Sequence, residues 1–227
     1  MPKIHERLLE VRNRIHNALK DAGRADTETE LLAVSKTKPA QLIREAYLSG
    51  QRQFGENYLQ EALDKQALLQ DLDIQWHFIG PIQSNKTRPI AESFEWVHSV
   101  DRHKVAQRLN DQRPPELGPL NICVQVNLDQ EASKAGVSLD DLPALVESVS
   151  KLPHICVRGL MAIPAPRSDR QQQQQVLTQL AAALTTLKAR YPSMDTLSMG
   201  MSKDLEAAVA AGSTLVRIGT DIFGARD

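Results

Sequence analysis

The stretch LLAVSKTKP, residues 31–39, runs from a short apolar segment into a lysine, Lys36, and then to a proline on which a helix can begin. An apolar run of this length bounded by polar turn residues reads as a buried strand, and the segment after it reads as helix, so the stretch is the first βα unit of the chain. An open doubly wound sheet more often carries a glycine-rich dinucleotide fingerprint after its first strand. SKTKPA, residues 35–40, has none.

Working outward from that unit, strand-like runs fall near residues 31–36, 52–54, 75–79, 95–98, 121–128, 155–161, 195–198 and 214–218. Helical stretches follow near 39–49, 56–70, 84–92, 102–111, 139–150, 169–190 and 203–211. After the last strand, GTDIFGARD leaves room for one helical turn. The alternation predicts an α/β chain of about eight βα units, a single (β/α)8 TIM-type barrel, whose usual size is about 250 residues. Ahead of it, KIHERLLEVRNRIHNALKDAG places Ile4, Leu8, Val11, Ile15 and Leu19 on one face, an extra N-terminal helix and not a secretion signal. No Pro/Gly/Ser-rich linker interrupts the sequence, so residues 1–227 read as one domain.

Composition narrows the function classes. Hydrophobic residues make up 41%, enough for a core, and 27 Lys plus Arg against 28 Asp plus Glu give a net charge of -1. No basic field of the kind that gathers nucleic acid results. No window approaches the roughly 20 apolar residues of a membrane helix. Cys123 and Cys156, each within an apolar run, read as reduced core thiols, which suits a cytoplasmic protein. The six histidines form no HExxH or tight His/Cys cluster, so no metal site is expected. The run RQQQQQV, residues 170–176, reads as a solvated helix face.

In a parallel barrel, chemistry gathers at the carboxyl ends of the strands. Lys36 ends the first strand on the side of Leu32 and Val34 by the two-residue period. A surface lysine that snorkels is the ordinary alternative. Partial burial would lower its pKa from about 10.4 and expose an amine able to form Schiff bases with aldehydes. After the eighth strand, Gly219 and Thr220 offer two backbone N–H groups and a hydroxyl to an anion, at the barrel's common phosphate site. Ser202 precedes KDLEAA and reads as the N-cap of a helix after the seventh strand, whose N–H groups would also favour phosphate. Arg217, two residues before Gly219, points into the same mouth and needs an acceptor, either a core carboxylate or a ligand's ring nitrogen. Asn57 and Met161 stand at or just beyond strand ends and could contact the ring or the hydroxyl of a bound ligand, with helix capping and core filling as their ordinary alternatives. His77 could line the lumen or be a satisfied structural histidine. Lys134, in the loop after the fifth strand, is a solvated lysine or a second amine that assists release of a bound aldehyde.

An aldehyde-reactive lysine, a phosphate cradle and a ring-nitrogen donor together suit pyridoxal 5′-phosphate. The segments LLAVSKTKP, FGENYLQE, WHFIGPIQSNK, RGLMAIP and LSMGMSKDLEAAVAAGSTLVRIGTDIFGAR resemble the pyridoxal phosphate homeostasis protein family, small relatives of the alanine racemase N-terminal barrel. The resemblance spans nearly the whole chain. It implies a (β/α)8 barrel with pyridoxal phosphate as a Schiff base on Lys36, its phosphate held around Ser202, Gly219 and Thr220. Arg217 matches the racemase arginine that contacts the pyridine nitrogen.

A guanidinium donates to that nitrogen without giving up its proton, so the ring would stay a weak electron sink. The sequence also ends at Asp227 without the racemases' C-terminal β domain. Both features lead us to expect a cofactor carrier, probed transiently by apoenzymes and monomeric, with no catalytic residue. A racemase-like enzyme is the main alternative, and a Schiff-base aldolase acting on a sugar phosphate is a third.

Overall fold

The computed structural model describes residues 3–131 and 134–225. Its elements follow in chain order: α1 (Ile4–Asp21), β1 (Glu30–Val34), α2 (Ala40–Leu48), β2 (Gln53–Glu56), α3 (Leu59–Leu68), β3 (Gln75–Phe78), α4 (Thr87–Ser93) and β4 (Trp96–Val100). The second half comprises α5 (His103–Gln112), β5 (Leu120–Gln125), α6 (Leu142–Val149), β6 (Ile155–Met161), α7 (Arg170–Lys188), β7 (Thr196–Ser198), α8 (Leu205–Ala210), β8 (Leu215–Ile218) and α9 (Thr220–Phe223). Short 3₁₀ turns cover Ser84–Lys86 and Pro115–Leu117. The eight strands pair in parallel in sequence order and close through β8 on β1, with Leu32 opposite Arg217 and Ala33 opposite Ile218. The barrel and the extra first helix are those expected from the apolar periodicity.

Alternate residues of β1 serve different layers. Leu31 and Ala33 join the apolar layer under the helices, whereas Leu32 turns into the lumen and packs against Gly55. Along α1 the 3.6-residue helical period buries Ile4, Leu8, Val11, Ile15 and Leu19, and this face packs on α8 and α9. The lumen is not filled by aliphatic layers alone. Trp96, Cys123 and Met161 form a separate small cluster there, beside the buried polar side chains His77, His98, Ser198 and Arg217.

Three local expectations change. The helix after β7 begins at Leu205 with Asp204 at its N-cap, because the Asp204 carboxylate accepts the Met201 N–H at 2.6 Å and holds residues 201–204 as a turn. Ser202 therefore lies in a loop and caps nothing. The glutamine run is not uniformly solvated: Gln173 is buried, on the inner face shared with Leu177, Leu180, Leu184 and Leu187. Finally, β1 ends at Val34, so a turn and not the strand period sets the direction of Lys36.

Candidate functional site

That turn is pinned on both sides of Lys36. The Ser35 hydroxyl donates to Glu56 Oε1 at 2.6 Å, and the Ser35 carbonyl accepts from Lys65 Nζ at 2.8 Å. The Thr37 N–H donates to Glu61 Oε1 at 2.6 Å. Thr37 has φ of 63°, a left-handed conformation that costs a β-branched residue about 1–3 kcal/mol and persists only where neighbours enforce it. Beneath the turn, Glu56 is wholly buried and Lys65 nearly so, their Oε1 and Nζ 2.8 Å apart. Burial pushes the Glu56 carboxyl above the usual range, against the pull of Lys65 and Ser35. Lys36 thus stands half-buried on a loop whose backbone is fixed by a buried ion pair.

The adjoining wall comes from the ends of β7 and β8. Gly219 approaches β1 so closely that an added Cβ would lie 3.0 Å from the Val34 carbonyl oxygen, which explains glycine there. Arg14 of α1 ties the two loops together: Nε donates to Glu206 at 2.9 Å, Nη1 to Asp221 at 2.9 Å and Nη2 to the Ser202 carbonyl at 2.9 Å. Arg217 is held by the Ser198 carbonyl and hydroxyl and by the Ala162 carbonyl, which takes Nη2 at 2.9 Å. Its acceptors are therefore neutral groups and not a core carboxylate. Burial lowers its pKa to about 10, which leaves it charged at neutral pH.

Between these walls lies a cavity of about 650 Å³ at the carboxyl mouth of the barrel. Lys36, Asn57, Ser202, Arg217, Gly219 and Thr220 all line it, and so does Lys134, whose Nζ pairs with Glu131 Oε1 at 2.8 Å. Met161 does not reach the wall: it is 1% exposed and packs on Trp96 and Cys123 in the lumen. His77 also lies inside the barrel, where it borders the hollow at the opposite mouth. Among the lining residues that sequence pattern did not single out are Arg167, Arg170 and Gln173. Gln173 accepts from the Arg167 N–H at 3.1 Å and donates to Asp204 at 3.2 Å, so it joins the loop after β6 to the loop after β7.

Asn57 carries the clearest mark of a ligand. Helix α3 starts at Leu59 after Tyr58, so Asn57 does not cap it. Its Oδ1 is buried and has no hydrogen-bond partner among the described residues. An orphaned buried acceptor costs about 1–3 kcal/mol, and a donor on a bound molecule would relieve it. Gly80 lets the backbone approach here, since an added Cβ would fall 2.1 Å from the Asn57 carbonyl oxygen. A phosphorylated aromatic aldehyde with a ring hydroxyl matches this donor set: an amine, loops of backbone N–H groups, a buried cation and an orphaned acceptor. Among the described residues no group of three or more His, Cys, Asp or Glu side chains is placed to hold a metal ion.

The fold and cavity define a (β/α)8-barrel protein with a lysine and the loops after β7 and β8 lining one cavity at the carboxyl mouth. The family model of the alanine racemase N-terminal domain matches residues 10–227. The pyridoxal phosphate homeostasis protein of Pseudomonas aeruginosa is 59% identical over 100% of this chain and 97% of its own length. Its counterpart in Escherichia coli is 56% identical over 100% of this chain and 98% of its own. The structure of PipY from Synechococcus elongatus with PLP bound superposes with a TM-score of 0.84 at 40% identity, covering 97% of this chain and 100% of that one. The chain belongs to the pyridoxal phosphate homeostasis protein family, within the alanine racemase N-terminal domain fold.

Proposed function

We propose that this protein binds pyridoxal 5′-phosphate in the carboxyl-mouth cavity as a Schiff base on Lys36 and serves in its intracellular homeostasis and delivery. The observation that carries this reading is that Lys36, Arg217, the orphaned Asn57 Oδ1 and the loops at Ser202 and Gly219–Thr220 face one cavity. PLP bound to PipY, and the function named for the bacterial relatives, support it. When bound, the cofactor supplies an aldehyde and an electron-accepting ring. The protein's own residues do the rest. The turn at Ser35–Thr37 presents the Lys36 amine, the Ser202, Gly219 and Thr220 segments hold the phosphate, and Asn57 accepts from the ring hydroxyl. Arg217 donates to the ring nitrogen and keeps its proton, which leaves the ring neutral and restrains carbanion chemistry.

In this reading residues 1–227 act as one cofactor-binding domain, monomeric and cytoplasmic, that meets PLP-requiring apoenzymes only transiently, and no residue is assigned a catalytic role. Lys134, at the cavity wall, offers a second amine during release. The test is borohydride reduction after incubation with pyridoxal phosphate, followed by peptide mapping. A reduced adduct at Lys36, absent in Lys36→Ala, is expected; labelling elsewhere with none at Lys36 would overturn the reading. Exchange of an amino acid's α-hydrogen with solvent deuterium at turnover rates would point instead to a racemase-like enzyme.

A further inference from the structure

A line of polar side chains crosses the lumen from one mouth to the other. Arg217 Nη1 donates to Ser198 Oγ at 2.7 Å, and Ser198 Oγ lies 2.8 Å from His98 Nδ1. His98 Nε2 lies 2.9 Å from His77 Nδ1, and His77 Nε2 lies 3.2 Å from Gln75 Oε1. Arg217 is 4% exposed, His77 1%, and Ser198 and His98 are fully buried. Gln75 opens on a hollow of about 460 Å³ at the amino mouth.

The two ends set the direction of this line. Arg217 can only donate, so a Ser198 lone pair faces it and the Ser198 proton must go elsewhere. His98 Nδ1 is the acceptor within reach. If His98 donated to Ser198 instead, the Ser198 hydroxyl proton would be left without an acceptor among the hydrogen bonds of the described residues, an expensive state in a fully buried site. With Nδ1 accepting, His98 Nε2 donates to His77 Nδ1, and His77 Nε2 donates to Gln75 Oε1. Every dipole then turns its negative end toward the guanidinium, the arrangement a buried cation favours and one in which successive bonds reinforce each other.

We propose that Ser198 and His98 are positioning residues for Arg217, in a one-way chain from Arg217 through Ser198, His98 and His77 to Gln75, with both imidazoles neutral and protonated on Nε2. Burial supports the neutral state: it lowers the His77 pKa to about 3, and that of His98 well below its ordinary value, with His77 and Arg217 adding repulsion. The remaining face of His77 is stacked on Trp96, with ring centroids 5.4 Å apart, and the Arg158 guanidinium lies on Trp96 at 4.9 Å from its ring centroid. No carboxylate in the chain stabilises an imidazolium. The chain therefore turns only lone pairs toward Arg217 and supplies no proton to the cavity. That consequence for the ring nitrogen rests on the function proposed above, whereas the tautomers do not.

Long-range ¹H–¹⁵N correlation spectra of the cofactor-free protein at pH 6–8 test the chain directly. Both His77 and His98 are expected as single Nε2–H tautomers that do not titrate; an Nδ1–H tautomer or an imidazolium at either would overturn the proposal. Ser198→Ala leaves Arg217 its two carbonyl acceptors but removes the donor to His98. It should move the His98 Nδ1 resonance downfield as that lone pair loses its donor, and an unchanged Nδ1 shift would refute the hydrogen bond from Ser198 to His98. In cofactor titrations His98→Leu should weaken binding about tenfold. His98→Gln, which can still accept from Ser198 and donate to His77, should stay within about threefold of the parent; equal losses in the two variants would reject positioning through His98. A protein that binds no pyridoxal phosphate would sink the proposed function and leave the tautomer result to decide the chain.

Discussion

Replacing Lys65 by methionine removes the cation from the buried pair under the Lys36 turn and keeps most of the side-chain volume. At 2.8 Å the Glu56–Lys65 attraction is about 6 kcal/mol gross with an effective dielectric of 20. Much of that offsets the desolvation of the two charges, so the net value of the intact pair is far smaller. Breaking it is different, because Glu56 is fully buried and its Oε2 has no hydrogen-bond partner among the described residues. We expect Lys65→Met to cost about 3–5 kcal/mol at pH 8. The loss should depend on pH with a definite sign. Burial raises the folded-state pKa of Glu56 above that of the unfolded chain, and removing Lys65 raises it further. The folded variant then binds a proton that the unfolded chain has released. Its stability is accordingly greatest below the unfolded carboxyl value of about 4.3 and falls as pH rises through the folded one. Urea denaturation followed by circular dichroism at pH 5 and pH 8 should show the larger deficit at pH 8, with Glu56→Gln in the same background recovering about 2 kcal/mol. A deficit under about 1 kcal/mol, or one equal at both pH values, would refute the reasoning.

Other perturbations separate binding from stability. Arg14→Ala removes the link between the loops after β7 and β8, but its ion pairs are about a third exposed, so unfolding should shift by only about 1 kcal/mol while pyridoxal phosphate affinity falls about fivefold. Isothermal titration and thermal melts would show a failure as the reverse pattern. Gly80→Ala forces a methyl to 2.1 Å from the Asn57 carbonyl oxygen, which should cost about 2–3 kcal/mol and displace Asn57; a thermal melt equal to the parent's would contradict this packing. Lys134→Ala loses a partly exposed pair with Glu131, so stability should hold while cofactor transfer to an apoenzyme slows severalfold; unchanged transfer would remove Lys134 from the release step. The Cys123 thiol, pushed up to about 12 by burial, should resist alkylation in the folded protein, and rapid modification under native conditions would disprove its burial.

Period and punctuation made the barrel legible, because both faces of each strand are buried and each helix shows one apolar stripe. The placement of Lys36, Arg217 and Gly219 around one cavity was legible for the same reason: the architecture says which strand ends share a mouth. Elsewhere the letters carried too little. Five identical glutamines have no periodic contrast, and Gln173 becomes visible only by counting back four residues from Leu177 along the buried face. Ser202 is a good N-cap by type, but Asp204 competes for the same turn and wins the Met201 N–H. Met161 closes β6, yet the register shift between β5 and β6 and the packing of Trp96 keep it in the lumen below the cavity. Arg14 carried no local signal, since its partners Ser202, Glu206 and Asp221 lie 188, 192 and 207 residues away.

That separation has a consequence for how the molecule is made. The cavity is closed by a hydrogen bond from α1 to α9 and by the seam of β1 on β8, so segments that leave the ribosome early must wait for segments that leave late. Contacts this distant form slowly and only after the intervening chain is available. In the function proposed above, loading is a late event in the life of each molecule: a nascent chain that already displays Lys36 still lacks Arg217 and the loops after β7 and β8.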